Sequence, residues 1–548
     1  MYSPRCGRIV NMRVLAVCGI LSAIVTTFLT LRYTADPRPP VRGEFLQGSG
    51  ALKGTFEMHV KKLRTEPVVT KCNNPQVSDS RPLLSVPRVA KYCNIPNSEP
   101  PGDEGLVLGD MKLLGAHVVI RHGDRAPLVR LPGEETPSLS CLVDSSQFHH
   151  LPKVQNYEHV MAQASQMEER QEDLKSDFNR WALYPSRPEC AEGQLTGQGA
   201  IQQVLSGLHL HQRYTESPNN LRVDYSTVAV HSTVTSRTYQ SALAFMYGFL
   251  PEFDHKQLKV KGTSSILFCD SNAVPGSVCF CPGLETLRGK AFGSCRGDET
   301  AIRSLATYEA SALKTLTHVL GVPATSIPAP EGVMDALSRY ACHSIPPPCV
   351  TLSNNSSGNS CTTTTCIDAR TMEEIWASVD AQSRCVNQNS DYKKFATAAT
   401  QGLLLRIAQG LLRIALRNTT NTDNVPLFVL YSGHDNTITP LIAALGINDR
   451  VWPGYATRLV FELYERASTP DVKAQHFVRI LLNGKAVTRE TVFCRAGSVL
   501  SGGDDLCEFE RFHGHMTSMK LQEFCTSIRS QKLRNARKKR VPVKTGNH

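Results

Sequence analysis

The chain has 548 residues, 41% hydrophobic and 20% charged, with 18 cysteines and a formal net charge of +11. That length and apolar content exclude a disordered chain or a small disulfide scaffold and leave room for two intertwined subdomains. Eight lysines and arginines and no acidic residue lie in Arg529–His548, so the basicity is mainly a tail property; without interleaved aromatics that tail is not a stacking surface, and no nucleic-acid partner is expected.

Val14–Leu31 carries no charge, and its 18 residues would extend about 27 Å as a helix, close to a bilayer core. Arg5, Arg8 and Arg13 precede it without an acidic residue. This predicts residues 1–13 as a cytosolic tail, 14–31 as a transmembrane signal anchor and the rest as lumenal, a single-pass type II arrangement. A cleaved signal peptide is the competing reading. Residues 32–91, with Pro37, Pro39 and Pro40 and little periodicity, read as a lumenal stem.

The apolar run Ala116–Ile120 predicts a strand that delivers Arg121-His122-Gly123-Asp124-Arg125-Ala126-Pro127-Leu128. A histidine between two arginines suits attack on phosphate, because neighbouring cations keep the imidazole neutral while attracting a dianion. Gly123 would let backbone approach a ligand. For an isolated His-Gly pair, a charged surface turn would be the ordinary reading. Pro152–Trp181, Tyr308–Leu320 and Phe395–Leu416 have helical periodicity and are assigned to a helical cap. Ser226–His231 is a β-branched strand leading through Ser232-Thr233-Val234-Thr235-Ser236 to Arg237, in the first turn of a helix that runs through Phe249. Thr351–Thr365 is rich in Ser, Thr and Asn and reads as a local insertion.

Val425–Tyr431 is a third buried-type strand, ending in Ser432-Gly433-His434-Asp435 before a helix over Asn436–Leu445. Polar residues at three strand-to-helix junctions match the way open α/β sheets bind anions. Arg458–Arg466 and His476–Leu482, the latter followed by Asn483-Gly484, add strands and a hairpin. Sixteen cysteines follow Cys18, an even set compatible with disulfides in a secretory lumen. Zinc at Cys279-Phe280-Cys281, or at Cys342-His343 with Cys349, is the rival, without the paired two-residue spacing of structural sites. Sequons at Asn354, Asn355 and Asn418 are glycosylation candidates in such a lumen.

The stretch Arg121-His122-Gly123-x-Arg125-x-Pro127 resembles the signature of the histidine acid phosphatase branch of the histidine phosphatase family. The resemblance implies an α/β fold, a phosphoglycerate mutase-like sheet domain with an inserted helical cap, over residues 92–525, leaving 526–548 as a basic tail. It implies His122 as the nucleophile, Asp435 as proton donor, and Arg121, Arg125, Arg237 and His434 as phosphate-binding residues. Bidentate arginines can neutralise the transferring phosphoryl oxygens, so no metal and no cofactor is expected. A raised carboxyl pKa or an acidic compartment would suit Asp435. One departure is His231, where many members carry arginine. Further blocks (Tyr92-Cys93-Asn94-Ile95-Pro96, Leu183-Tyr184-Pro185, Gly193-Gln194-Leu195-Thr196-Gly197, Tyr247 through Asp254, and Leu267-Phe268-Cys269) are similar to a Golgi-membrane subgroup of that branch. That subgroup acts on phosphorylated xylose in the proteoglycan linker, which implies that substrate, a membrane association through the anchor, and linker glycosyltransferases as neighbours. A broad acid phosphatase or inositol polyphosphate phosphatase, and a non-catalytic lumenal scaffold, are the alternatives.

Overall fold

The computed structural model describes residues 80–519, apart from 97–99, 107–108, 135–136, 169–176, 179–180, 270–282, 357–358, 418–424, 450, 467–473 and 496–504. The anchor Val14–Leu31, most of the stem, Cys279, Cys281, Asn418 and the basic tail lie outside the described residues. Among the described residues no helix is long and apolar enough to cross a membrane.

Among the described residues ten strands occur in chain order: β1 (Met111–Arg121), β2 (Val228–Thr233), β3 (Val260–Thr263), β4 (Cys349–Ser356), β5 (Asn359–Cys366), β6 (Phe428–Gly433), β7 (Arg458–Arg466), β8 (Gln475–Leu482), β9 (Lys485–Ala486) and β10 (Cys507–Glu508). The main sheet runs β10-β8-β7-β1-β6-β2-β3, with β9 beside β8. β1, β6, β2 and β3 are mutually parallel, while β7, β8 and β10 continue the sheet antiparallel. Val118, Val119, Ile120 and all of β6 are buried, as a parallel interior requires, and the adjoining antiparallel β7 is buried over its first seven residues as well. The Thr351–Thr365 segment forms the separate hairpin β4-β5, closed at its base by Cys349–Cys366; Asn354 and Asn355 lie on β4.

Among the described residues twelve helices accompany the strands: α1 (Pro87–Cys93), α2 (Pro152–Glu168), α3 (Gly197–Thr215), α4 (Ser236–Phe249), α5 (Leu284–Cys295), α6 (Glu299–Ala310), α7 (Ala312–Leu320), α8 (Pro330–Cys342), α9 (Ala369–Gln388), α10 (Ser390–Ala415), α11 (Asp435–Leu445) and α12 (Phe509–Ser518). They divide between two apolar cores. The larger unites the sheet with α2, α3, α4, α10 and α11; the smaller joins Val89, Tyr92 and Cys93 of α1 to α7, α8 and α9, with Tyr455. This corrects two cap assignments. Phe395–Leu416 (α10) and Pro152–Trp181 (α2 in its described part) pack on the sheet side, because their apolar stripes face β1, α3 and α4. Helical periodicity reveals a stripe and leaves its partner open. Tyr308–Leu320 is broken at Ser311 into α6 and α7. The end of the segment read as stem is also folded, since α1 is buried in the second core.

Cys93–Cys342, Cys141–Cys190, Cys295–Cys385, Cys349–Cys366 and Cys494–Cys507 are disulfides, and Cys269 is also disulfide-bonded. Cys342 and Cys349, weighed as zinc ligands, therefore have other partners.

The turn after β1 is held against the first turn of α3 at backbone contact. A Cβ on Gly123 would lie 2.1 Å from the Gly199 carbonyl oxygen, and one on Gly199 would lie 2.1 Å from that of Asp124. Gly123 thus serves the packing of loop against helix, rather than the ligand approach expected from sequence. Gly199→Ala should destabilise the fold by about 3 kcal/mol, at the upper end for overpacking because the opposing atoms are backbone. A thermal midpoint matching wild type would contradict this packing.

Candidate active site

Strand register assembles the site. Ile120 of β1 sits opposite Ser432 of β6, and Ser432 opposite Ser232 of β2, so the three parallel strands reach their carboxyl ends at one level. Each chain then leaves the sheet beside the others. The His122 amide donates to the Gly433 carbonyl (2.9 Å), Arg237 enters as the second residue of α4, and His434 is the N-cap of α11 with Asp435 its first residue. Two helix amino termini thus face the loop that carries His122, which favours an anion between them.

His122 is enclosed, only 2% exposed. Its Nδ1 lies 2.7 Å from the Gly123 carbonyl oxygen. A carbonyl can only accept, so Nδ1 carries the proton and Nε2 keeps its lone pair. Burial, then Arg237, Arg121 and Arg125, push the His122 pKa well below 6.5.

The arginines are held from behind. Arg121 is 0% exposed; it donates to the Pro453 carbonyl (2.6 Å), lies over the rings of Tyr455 (4.5 Å to the centroid) and Tyr92 (5.2 Å), and pairs with Asp435 Oδ2 at 3.1 Å. Arg125 pairs with Asp335 Oδ1 at 2.8 Å, and Asp335 Oδ2 accepts from the amides of Leu128 (2.6 Å) and Val129 (3.1 Å). The Nε–H groups of Arg121 and Arg125 are buried without a protein acceptor among the described residues.

Arg237 Nη2 approaches His434 Nδ1 at 3.5 Å, and His434 Nε2 lies 2.9 Å from Thr233 Oγ1. Burial and then Arg237 take His434 down to about 3, so it is neutral. The His122 and His434 rings stand edge to face, centroids 5.6 Å apart.

Asp435, its side chain 15% exposed, stands with partly exposed Arg237 at the less buried side of the cluster. Burial acts to raise its carboxyl, but Arg121 and then Arg125 outweigh it and hold the pKa below the ordinary 3.8. Of the two conditions that would suit a donor here, a raised carboxyl pKa or an acidic compartment, these neighbours do not provide the first, and Asp435 is an anion paired with Arg121.

All six sequence-predicted residues, Arg121, His122, Arg125, Arg237, His434 and Asp435, thus converge. His231 instead stacks on Tyr431 (5.1 Å, 12° between planes). Sequence reasoning missed the supports: Tyr455, Asp335, and the Asp124 carboxylate with its partners Thr196 (2.6 Å) and His343 (2.8 Å). Only Asp124 carried a signal, through its place inside the motif; Asp335 and Tyr455 act from remote segments with no spacing to mark them.

A family model described as histidine phosphatase superfamily (branch 2) matches residues 112–287 and 355–483. The chain is 32% identical over 417 residues to 2-phosphoxylose phosphatase 1 of Danio rerio, covering 74% of this chain and 78% of that protein. It is 29% identical over 437 residues to 2-phosphoxylose phosphatase 1 of Homo sapiens, with 79% and 82% covered. Among solved structures, a Bifidobacterium longum multiple inositol polyphosphate phosphatase bound to inositol hexasulfate aligns with TM-score 0.47 and 13% identity over 79% of this chain and 98% of its own. The chain accordingly belongs to branch 2 of the histidine phosphatase superfamily and is a phosphatase.

Proposed function

We propose that this phosphatase transfers the phosphoryl group of a monoester to His122 and then to water, and that its substrate is 2-phosphoxylose in the linker joining glycosaminoglycan chains to proteoglycan cores. The observation that carries the chemistry is the Nδ1–H bond from His122 to Gly123, which leaves Nε2 as a nucleophile amid Arg121, Arg125 and Arg237. The Nε2 lone pair forms the P–N bond as the bond from phosphorus to the sugar oxygen breaks, and the clamp neutralises the equatorial oxygens. Asp435 gives its proton to the departing alkoxide; water then attacks the phosphohistidine, returning a proton to Asp435 and releasing phosphate.

Arg121 and Arg125 hold Asp435 ionised, so its role as acid depends on the substrate. A dianion seated on the arginines offsets the charge that holds the carboxyl down and repels the carboxylate, and both effects raise its pKa. Mildly acidic surroundings suit this, while the depressed His122 value keeps the nucleophile neutral there. The choice of 2-phosphoxylose is supported by relatives of that name over most of the chain. The uncharged Val14–Leu31 run with three preceding arginines supports a Golgi type II protein whose catalytic domain is lumenal, near linker glycosyltransferases.

Purified protein assayed on a phosphoxylose linker oligosaccharide, inositol hexakisphosphate and an aryl phosphate should prefer the linker, and His122→Ala should lose turnover and phosphoenzyme on all three while remaining folded. Preference for inositol hexakisphosphate would move the assignment to an inositol polyphosphate phosphatase, no preference to a broad acid phosphatase, and turnover by a folded His122→Ala would reject the mechanism. Asp435→Asn should cost about 10²- to 10⁴-fold on sugar phosphates and far less on aryl phosphates, whose leaving oxygen needs no proton; equal losses would count against the acid role. In cells, an amino-terminal tag should be reached after permeabilising the plasma membrane alone and a carboxyl-terminal tag only once internal membranes open, the reverse order refuting the topology.

A further inference from the structure

Two ion pairs of opposite polarity cross from the second core into the catalytic loop. The loop offers Asp124 and Arg125; α8 answers with Asp335 and, at its C-cap, His343. The Arg125–Asp335 pair steadies a member of the clamp directly. The other pair touches none of the groups that meet phosphate. Asp124, 1% exposed, places Oδ2 2.8 Å from His343 Nε2 and 2.6 Å from the Thr196 hydroxyl, and its amide donates to Gln202 Oε1 at 2.8 Å. Thr196 in turn caps α3 by accepting from the Gly199 amide (3.0 Å), the glycine packed against this loop. The Asp124 carboxylate therefore joins three bodies: the loop between His122 and Arg125, the start of α3, and the end of α8. On the far side of His343, Cys342 is bonded to Cys93, next to the Tyr92 ring that packs on Arg121.

We propose that His343 is a positioning residue for phosphoryl transfer: its imidazolium, paired with Asp124, locks the His122–Arg125 loop between α3 and α8 in the reactive geometry. The inference rests on His122 as the nucleophile. The charged groups facing the imidazole are Asp124 from the loop and Arg339, one turn back on its own helix; α3 contributes the Thr196 hydroxyl. Burial disfavours the imidazolium and Arg339 opposes it, but Asp124 prevails and holds His343 above its ordinary 6.5. A folded value raised in this way contributes stability that is complete below the unfolded histidine value and is lost as pH rises through the folded one. The lock is thus closed below the unfolded value and loosens as pH rises through the raised folded one, imposing an alkaline limb on activity that persists even with a leaving group needing no proton.

The test follows kcat/KM and kcat for para-nitrophenyl phosphate over about pH 5 to 9 with the full chain, His343→Gln and Asp124→Asn. This substrate needs no acid, so Asp435, left only its base role toward water, adds no alkaline limb, and the ratio of variant to wild type cancels the ionisation of the substrate. Wild type should lose activity on the alkaline side. Both variants should show a flattened limb and, in acid, a kcat about tenfold below wild type with KM changed much less. Variant and wild-type profiles of the same shape, with thermal midpoints showing folded protein, would overturn the role of His343. If either variant fails to fold, the other, or His343→Asn, supplies the comparison. Absent wild-type turnover, or turnover that survives His122→Ala, would instead reject the underlying mechanism, so the two failures are separable.

Discussion

A guanidinium with no contact with solvent sets the conditions for the whole site. Removing an isolated charge from water costs several kcal/mol even after relaxation, and Arg121 meets that cost with a carbonyl, two aromatic faces and one carboxylate. Those partners come from α1, the segment before β7, and the start of α11. Three distant parts of the chain must therefore be correctly placed before the cation is tolerable. Arg125 repeats the logic with Asp335. With Arg237 added, three guanidiniums act on one cluster, and their field, which lowers the pKa of His122, His434 and Asp435, is an excess of positive potential suited to a dianion.

That excess acts differently on each titratable neighbour. It drives His122 and His434 toward the neutral form, which a nucleophile needs, and it drives Asp435 toward the anion, which a proton donor must leave before it can act. The conflict is resolved if the phosphate itself is part of the electrostatic design. A dianion then offsets the positive field of the clamp, so the donor is armed by binding, and a proton is available only where a phosphate has arrived.

The catalytic strands were legible because each combines a buried apolar run with polar residues at its carboxyl end, and because the charge pattern around His122 is chemically specific. Their convergence was legible as an inference from sheet logic, which the register of Ile120, Ser432 and Ser232 bears out. Layer membership was not, since α2 and α10 carry stripes that would serve a cap equally well. Gly123 was misread for a related reason: the space its missing side chain leaves is filled by Gly199, some seventy residues later in the chain. Asp335, His343 and Tyr455 were invisible because a residue that supports another from a distant segment has no local periodicity and no characteristic neighbour.

The central strand has a history as well as a position. β1 pairs only with β6 and β7, and Cys93 finds its partner 249 residues downstream. During synthesis His122 is thus among the first parts of the domain to emerge and among the last to be placed. Until β6 and β7 arrive, an apolar strand with unsatisfied edges and an unpaired thiol must be shielded from misassociation. High contact order of this kind predicts slow maturation that leans on chaperones and disulfide isomerases, and it makes a nascent chain stalled before Phe428 inert whatever motif it already contains.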